Sequence, residues 1–293
     1  MEAKSLTPRW GQRQMIAEIA NTLARIPQDG EPDPEQPAVC VIEAGTGTGK
    51  TIAYAVAAIP MAQALRKRLV VATATIALQE QIINKDIPLL QAVTPTEFSA
   101  VLVKGRGNYL SLRRMNRAWE RQALLFNDSK EFTAIETVAQ WARETDDGSL
   151  ATLPQLNAPT VWSEVQSDSE DCLGKRCPTF DKCFYQSARR RMMNADVLVV
   201  NHALFFADLA LRAQGFGVLP PYDAAIIDEA HTMEDVAGEH FGLSASKYQV
   251  HYLLSRLHQQ RGGRGVLPAL KTKLRPELYN KTVQTIENAR IAS

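Results

Sequence analysis

The stretch from Glu43 to Thr51 reads Glu-Ala-Gly-Thr-Gly-Thr-Gly-Lys-Thr. Its glycines allow backbone N–H groups to approach a polyphosphate closely, and Lys50 places a positive charge opposite the β- and γ-phosphates. The Thr51 hydroxyl can bind Mg²⁺, and a helix beginning here would point its positive end at the anion. Ala44 stands where the standard P-loop pattern has its first glycine. The predicted nucleotide-binding residues of this loop are Gly45, Thr46, Gly47, Thr48, Gly49, Lys50 and Thr51.

The segments around this loop alternate between predicted strands and helices. A short apolar run with two valines precedes the loop, and a helical pattern follows it. Short continuous apolar runs are typical of parallel strands that are buried on both faces. The pattern predicts a doubly wound α/β fold. The predicted strands cover residues 38–42, 69–72, 101–103, 196–200 and 224–227, and the predicted helices cover 9–26, 51–67 and 76–87.

A second motif, Ile226-Ile-Asp-Glu-Ala-His231, ends the last of these apolar runs. Two adjacent acids at the end of a buried strand suit the chemistry of a nucleotide phosphate. Asp228 is predicted to bind Mg²⁺ directly or through water, and Glu229 to polarise the attacking water. His231 is predicted to couple this site to another segment. Asp228, Glu229 and Lys50 are therefore the predicted catalytic residues.

Length and composition are those of a globular protein. The chain has 293 residues, 45% of them hydrophobic, and a formal charge of +1 from 33 basic and 32 acidic residues. These values exclude a disordered tail, a collagen-like repeat and a coiled coil. No apolar run reaches the roughly 18 residues that a membrane-spanning helix needs. The N-terminus also lacks the pattern of a signal peptide. We expect a soluble, cytoplasmic protein with no membrane partner and an undetermined oligomeric state.

Three of the four cysteines, Cys172, Cys177 and Cys183, fall within twelve residues. Clustered cysteines in a cytosolic protein indicate metal or cluster ligands rather than disulfides. Zinc is the main competitor of an iron–sulfur cluster, although spacings of four and five residues differ from the usual zinc spacings. Binding of no metal also stays open. Cys40 is predicted to be a small core residue of the strand before the P-loop.

Beyond these motifs, the sequence resembles the DinG/XPD group of iron–sulfur superfamily 2 DNA helicases. Arg9 and Gln12-Arg-Gln-Met15 are similar to the adenine-contacting segment of that group. The segment Thr73-Ala-Thr-Ile-Ala-Leu-Gln-Glu-Gln81 is similar to its DNA-contacting motif, and Val199-Val-Asn-His-Ala-Leu204 to the strand end after its cluster insertion.

The resemblance implies a RecA-like motor domain with an inserted iron–sulfur domain, and ATP, Mg²⁺ and single-stranded DNA as ligands. It also implies 5′→3′ translocation that unwinds duplex DNA. The three clustered cysteines match the last three ligands of a [4Fe–4S] cluster. The string Gly105-Arg-Gly-Asn-Tyr-Leu110 matches the segment before the first ligand, but Ser111 follows it instead of cysteine. A cluster held by three thiolates is expected to be more labile than a cluster held by four.

The predicted organisation has four segments. Residues 1–104 and 196–240 form the motor domain, residues 105–195 the inserted domain, and residues 241–293 the start of an arch-like helical region. A second motor domain is not expected within this chain, so the remaining helicase domains are predicted partners and hydrolysis by this part alone is expected to be poor. The alternative is a nucleotide-sensing, DNA-binding regulatory module without helicase activity.

The insertion and the strand after it contain further residues with two interpretations each. The basic residues at its two edges are either solvated helix faces or a track for nucleic-acid phosphates. His202 is interpreted as a structural histidine rather than a ligand contact, and Trp119 and Trp162 as core residues. Tyr109 is interpreted as either structural or a stacking platform for single-stranded DNA.

Overall fold

A computed structural model of the chain describes residues 9–27, 35, 37–45, 47–94, 97–241, 253–258 and 265–292. Its centre is a sheet of four parallel strands in the order β2-β3-β1-β4. The strands are β1 (Leu69–Thr73), β2 (Ala100–Leu102), β3 (Val197–Asn201) and β4 (Ala224–Ile227). The predicted α/β fold with a parallel sheet is confirmed, and these four strands agree with the predicted apolar runs.

Helices cover both faces of the sheet and build the segment between β2 and β3. A π-helical turn (Ile82–Asp86) joins α3 to α4. The helices are α1 (Trp10–Leu23), α2 (Lys50–Ala64), α3 (Ile76–Gln81), α4 (Ile87–Val93), α5 (Leu112–Glu120), α6 (Gln122–Leu125), α7 (Ser129–Glu144), α8 (Val161–Val165), α9 (Phe184–Met193), α10 (His202–Arg212), α11 (Met233–Phe241), α12 (Val266–Ala269) and α13 (Pro276–Ala292).

Strand β1 shows how the sheet is buried on both faces. Leu69 and Val71 pack into one hydrophobic cluster, with α1 and α2, while Val70 and Ala72 pack into the opposite cluster, with α10. This alternation follows from the two-residue period of a strand. Because both faces are covered, every residue of β1 is apolar or threonine and all five are buried. The core therefore fixes where the carboxyl ends of the strands lie.

The predicted strand over residues 38–42 does not form. Residues 37–45 have no regular secondary structure, and Val39 and Val41 are 65% and 92% exposed. Cys40 is also exposed, so its prediction as a core residue is wrong. Residues 40–44 line a cleft beside α1. An apolar run becomes a strand only where a neighbouring strand takes up its backbone hydrogen bonds.

The segment between β2 and β3 has a hydrophobic core of its own, which shares no residue with the two clusters of the sheet. It is built mainly from α5, α7 and α8, with Ile135 and Val138 fully buried. Trp162 belongs to this core and donates its indole N–H to the carbonyl of Gly107. Trp119 is 39% exposed, so its prediction as a core residue is wrong.

The chain divides into two compact units, residues 1–237 and 238–293. In the second unit, α13 packs near the segment 253–258 through a hydrogen bond from Arg290 to the carbonyl of His258. None of the helices in the described part of the chain is long and apolar enough to cross a membrane.

Candidate nucleotide-binding site

The P-loop adopts a backbone that only glycine takes without strain. Gly47 and Gly49 have φ angles of +72° and +76°. A side chain at Gly49 would also start 2.5 Å from the amide nitrogen of Gln12. The Thr48 hydroxyl donates to the carbonyl of Gly45 across the turn. Helix α2 begins at Lys50, directly after Gly49, so its free N–H groups face the loop. Thr46 lies outside the described residues.

Lys50 lies between the loop and the acidic pair. Its amine donates to the carbonyl of Ala44 at 3.1 Å and lies 3.7 Å from a carboxylate oxygen of Glu229. Both side chains of this ion pair are partly exposed, with 25% and 31% of their surfaces accessible. The structure therefore brings together the Lys50 amine and the Glu229 carboxylate, which are 179 residues apart in the sequence.

Asp228 and Glu229 follow β4 at the carboxyl edge of the sheet. The N–H of Asp228 extends the ladder by donating to the carbonyl of Ala72 in β1. One oxygen of the Asp228 carboxylate accepts from the N–H of Glu229, and the other accepts from the hydroxyl of Tyr54 at 3.3 Å. Glu229 itself has a left-handed backbone, with φ +56°. The chain therefore turns sharply at the acid pair, directly after β4.

Tyr54, on α2, was not predicted from the sequence as a site residue. Burial, followed by the charge of Asp228, raises the pKa of the Tyr54 phenol above its ordinary value. The phenol therefore stays protonated and donates to Asp228. The Thr51 side chain also hydrogen-bonds Tyr54. Its position one turn after Lys50 on the P-loop helix is the signal that could have revealed this contact, since i and i+4 share a face.

His202 and His231 differ in accessibility: His202 is buried and His231 is exposed. His231, predicted to couple the site to another segment, is 74% exposed and lies 3.5 Å from Glu229. His202 is 1% exposed and lies beneath the acid pair. One of its ring nitrogens contacts the carbonyl of Asp228 at 2.8 Å, and the other contacts the Thr232 hydroxyl at 3.0 Å. The interpretation of His202 as a hydrogen-bonded structural histidine agrees with these contacts.

A cleft of about 620 Å³ opens beside the P-loop and α1. Arg9 and Gln12, the predicted adenine-contacting residues, line it together with Lys50. The backbone N–H of Arg9 donates to the Gln12 side chain at 2.9 Å, which orients the amide toward Gly49. The cleft joins a partly apolar wall to the phosphate loop, which is the combination that a nucleotide base and its phosphates require.

The predicted cluster residues do not assemble into a metal site. Among the described residues, no three histidine, cysteine, aspartate or glutamate side chains form a group that could hold a metal ion. Cys172 is exposed and accepts from Arg106, and Cys177 contacts Thr179. The Ser111 hydroxyl accepts from a backbone N–H as the N-cap of α5. The predicted cluster ligands are therefore three free thiols and the Ser111 hydroxyl, which already caps α5.

The arginines of α5 are used within the insertion. Arg113, Arg114 and Arg117 surround the carboxylate of Asp171, with distances of 3.0, 3.7 and 3.4 Å. Burial opposes ionisation of Asp171, but the hydrogen bond and charge of Arg113 and the charges of its two neighbours lower the pKa of this carboxyl below its ordinary value. This network holds the cysteine-bearing segment against α5.

A second cleft, of about 450 Å³, lies next to β2 and α9. Lys104, Arg106 and Arg189 supply positive charge to it, and Tyr185 supplies an aromatic surface. Arg106 stacks on the Tyr185 ring at 4.3 Å. Tyr109 is 5% exposed, so its ring is structural and unavailable as a platform for bases.

Comparison with known proteins agrees with the motifs. A family model described as the res subunit of type III restriction enzymes matches residues 5–147. The ATP-dependent DNA helicase YoaA of Escherichia coli is 37% identical over 249 residues, which are 83% of this chain and 36% of that protein. The ATP-dependent DNA helicase DinG of Photobacterium profundum is 34% identical over 266 residues, with 87% and 37% covered.

One solved structure, described as XPD_Helicase, aligns with 96% of this chain and 40% of that chain, at 14% identity and a TM-score of 0.49. The chain spans slightly more than a third of the length of the two curated relatives.

Proposed function

We propose, from its similarity to helicases named YoaA and DinG, that the chain belongs to the DinG-type helicase family and is the ATP-binding half of an ATP-dependent DNA helicase. In this proposal ATP hydrolysis drives movement along single-stranded DNA and unwinding of the duplex. The relatives that support the assignment are named ATP-dependent DNA helicases. The 5′→3′ direction is supported by the resemblance of the motifs alone. A DNA substrate and free thiols both favour the cytoplasm as its compartment.

The observation that carries the proposal is the meeting of the P-loop and the acid pair. The Lys50 amine lies 3.7 Å from Glu229 at the carboxyl edge of a parallel sheet, where α/β proteins bind their ligands. Tyr54 connects the P-loop helix to Asp228 from the other side. A loop that binds phosphates and a pair of acids that can act on them are therefore joined in one site.

Each residue of this site has a proposed task. Lys50 neutralises the β- and γ-phosphates, and the N–H groups at the start of α2 bind their oxygens. Thr51 and Asp228 hold Mg²⁺, and Glu229 orients the attacking water. Arg9 and Gln12 contact the base in the cleft beside α1.

The test is nucleotide binding by the chain with a fluorescent ATP analogue and Mg²⁺. Lys50→Ala should weaken binding strongly because the variant loses the charge opposite the phosphates. Lys67→Ala is the matched control, since Lys67 pairs with Asp223 at the opposite edge of the sheet. Equal affinity of wild type and Lys50→Ala would contradict the assignment of the P-loop.

Single-stranded DNA is the proposed second ligand. The basic residues of the second cleft, Lys104, Arg106 and Arg189, support this proposal because phosphate contacts dominate affinity for nucleic acids. Titration with labelled single-stranded DNA at two salt concentrations measures it. Binding of DNA and ATP with no stimulation of hydrolysis, even with the remaining helicase domains added, would favour the alternative of a regulatory module. Unwinding of duplexes with 5′ or 3′ tails by that assembly tests the direction.

We also propose that Cys172, Cys177 and Cys183 bind an iron–sulfur cluster through three thiolates. The proposal rests on the chemistry and spacing of the thiols and on the family, and a bound cluster would pin the cysteine-bearing segment. Anaerobically isolated protein should contain iron and acid-labile sulfide and absorb visible light. Cys177→Ser should lose the iron, the sulfide and the visible absorbance. Ser111→Cys should make the cluster more resistant to air. Stoichiometric zinc without iron would contradict the proposal.

A further inference from the structure

We infer that His202 and Thr232 are positioning residues that hold the turn of Asp228 and Glu229 in the geometry that Mg²⁺ binding requires. This inference rests on the proposed function, because it assigns a task to side chains that touch neither nucleotide nor metal. The inferred task is to support the backbone of Asp228 and Glu229, whereas the roles predicted from the sequence motif belong to their carboxylates.

The contacts form a chain around two consecutive peptide units, those of the Asp228 and Glu229 carbonyls. The carbonyl of Asp228 can only accept, so the His202 Nε2 that lies 2.8 Å away must carry a proton and donate to it. The other ring nitrogen, Nδ1, lies 3.0 Å from the Thr232 hydroxyl. That hydroxyl lies 3.0 Å from the carbonyl of Glu229. The carbonyl of Asp228 is therefore held by His202, and the single hydroxyl proton of Thr232 is shared between the His202 ring and the carbonyl of Glu229.

The backbone at this point needs such support. Glu229 has φ +56° and ψ +44°, a left-handed conformation that costs a residue with a side chain about 1–2 kcal/mol. Strained residues of this kind persist only where the surrounding structure determines them. If the turn relaxed, the carboxylates of Asp228 and Glu229 would swing away from Lys50. His202 provides a rigid anchor because it is 1% exposed and begins α10 directly after β3.

Side chains that position ligands without touching the metal have measurable effects. Loss of such an outer contact typically lowers metal affinity or activity by about 10–100-fold. The Mg²⁺-dependent part of nucleotide affinity should therefore depend on His202 and Thr232. The Mg²⁺-independent part, which comes from the P-loop and the cleft beside α1, should not.

The experiment measures affinity for an ATP analogue in Mg²⁺ and in EDTA. Thr232→Val keeps the shape of the side chain and removes the hydroxyl, so we expect about tenfold weaker binding in Mg²⁺ and no change in EDTA. Thr232→Ser keeps a hydroxyl and should restore most of the affinity. Thr137→Val, which removes a hydroxyl from α7 of the insertion, should behave as wild type in both conditions.

His202→Gln provides a second variant, because a glutamine amide can still donate to the Asp228 carbonyl. It should lose less Mg²⁺-dependent affinity than His202→Leu. Unchanged affinity of Thr232→Val in Mg²⁺, or an equal loss in Mg²⁺ and EDTA, would overturn the inference and leave the proposed function intact. Wild-type protein that binds no nucleotide in either condition would overturn the proposed function and the inference with it.

Discussion

At the scale of single residues, Glu229 has the most specific proposed role. Its carboxylate lies 3.7 Å from the Lys50 amine. Its backbone has a left-handed conformation at the turn that follows β4. Glu229→Gln keeps the size of the side chain but removes the charge that orients water. We expect nucleotide binding to persist while single-turnover hydrolysis falls by roughly 10²-fold or more, the scale of a lost general base.

The control for this substitution is Glu234→Gln, which removes the charge of an exposed residue in the first turn of α11. It should change neither binding nor hydrolysis. If binding and hydrolysis fall together in Glu229→Gln, then Glu229 stabilises the fold of the site instead of acting on water.

The residues of the site could be predicted from sequence where a motif fixes their neighbours. Lys50 lies near Glu229, and Asp228 is linked to the P-loop helix through Tyr54, because the motif residues lie at a helix start and a strand end. Tyr54 shares a helix face with Lys50, but the sequence does not show that its partner is Asp228, 174 residues away. Thr232 could not be predicted, because no pattern reveals the backbone of the turn that it contacts. The position of His202 at the end of an apolar run correctly indicated a structural histidine, but it did not show that the ring contacts the backbone of Asp228.

At the scale of elements, the predicted strands form where a neighbouring strand pairs with them and fail to form elsewhere. Strands β1 and β3 pair with neighbours on both sides, and their apolar runs predicted them well. The run 38–42 is just as apolar, yet it forms no strand and exposes Val39 and Val41. Hydrophobic patterning reports which segments could be buried, whereas pairing depends on the tertiary structure around them.

Two glycines of the insertion allow a matched test of its packing. Gly148 and Gly174 have similar φ angles of +60° and +55°. A side chain at Gly148 would start 2.3 Å from the ring of Phe184, whereas a side chain at Gly174 would meet nothing within 4 Å. Both substitutions to alanine should cost about 1–2 kcal/mol of unfolding free energy from backbone strain.

Gly148→Ala should cost about 1–3 kcal/mol more, since the added methyl group overpacks the contact with α9. Urea unfolding followed by tryptophan fluorescence measures the difference. Equal destabilisation by the two substitutions would show that the loop at Gly148 moves away from Phe184 at little cost.

The Asp171 network gives the insertion a defined pH response. The native pKa of Asp171 is lowered, so its ionised form stabilises the fold above the unfolded-state pKa of about 3.9. This contribution is lost as the pH falls through the lower native pKa. Between pH 6 and pH 3, Asp171→Asn should therefore lose less of its stability than wild type does.

Urea unfolding at several pH values tests this expectation, and added salt should reduce the difference between the two proteins at pH 6 because the network is partly exposed. Asp146→Asn is the control, since no ion pair involving Asp146 is found among the described residues. A pH dependence of Asp171→Asn identical to that of wild type would show that the network adds nothing to stability.

At the scale of the whole molecule, the first compact unit contains separate hydrophobic cores. Two cover the faces of the sheet and one fills the insertion, and the insertion core shares no residue with the other two. The interruption between predicted strands predicts an inserted domain, since about 90 residues are too many for a plain loop. The sequence did not indicate how the insertion is held, because the Asp171 network joins residues more than 50 positions apart.

The separate cores predict that nucleotide binding stabilises the sheet and leaves the insertion unchanged. Ligand at 100 times its dissociation constant should stabilise the part that binds it by about 2.7 kcal/mol. The proposed nucleotide contacts lie on the P-loop, α1 and the end of β4. Hydrogen exchange with saturating Mg²⁺ and ATP analogue should therefore slow in β1, β3 and β4, and should stay unchanged in α7 around Ile135 and Val138. Lys50→Ala serves as the control that removes the effect. Equal slowing in the sheet and in α7 would show that the unit unfolds as one cooperative body despite its divided core.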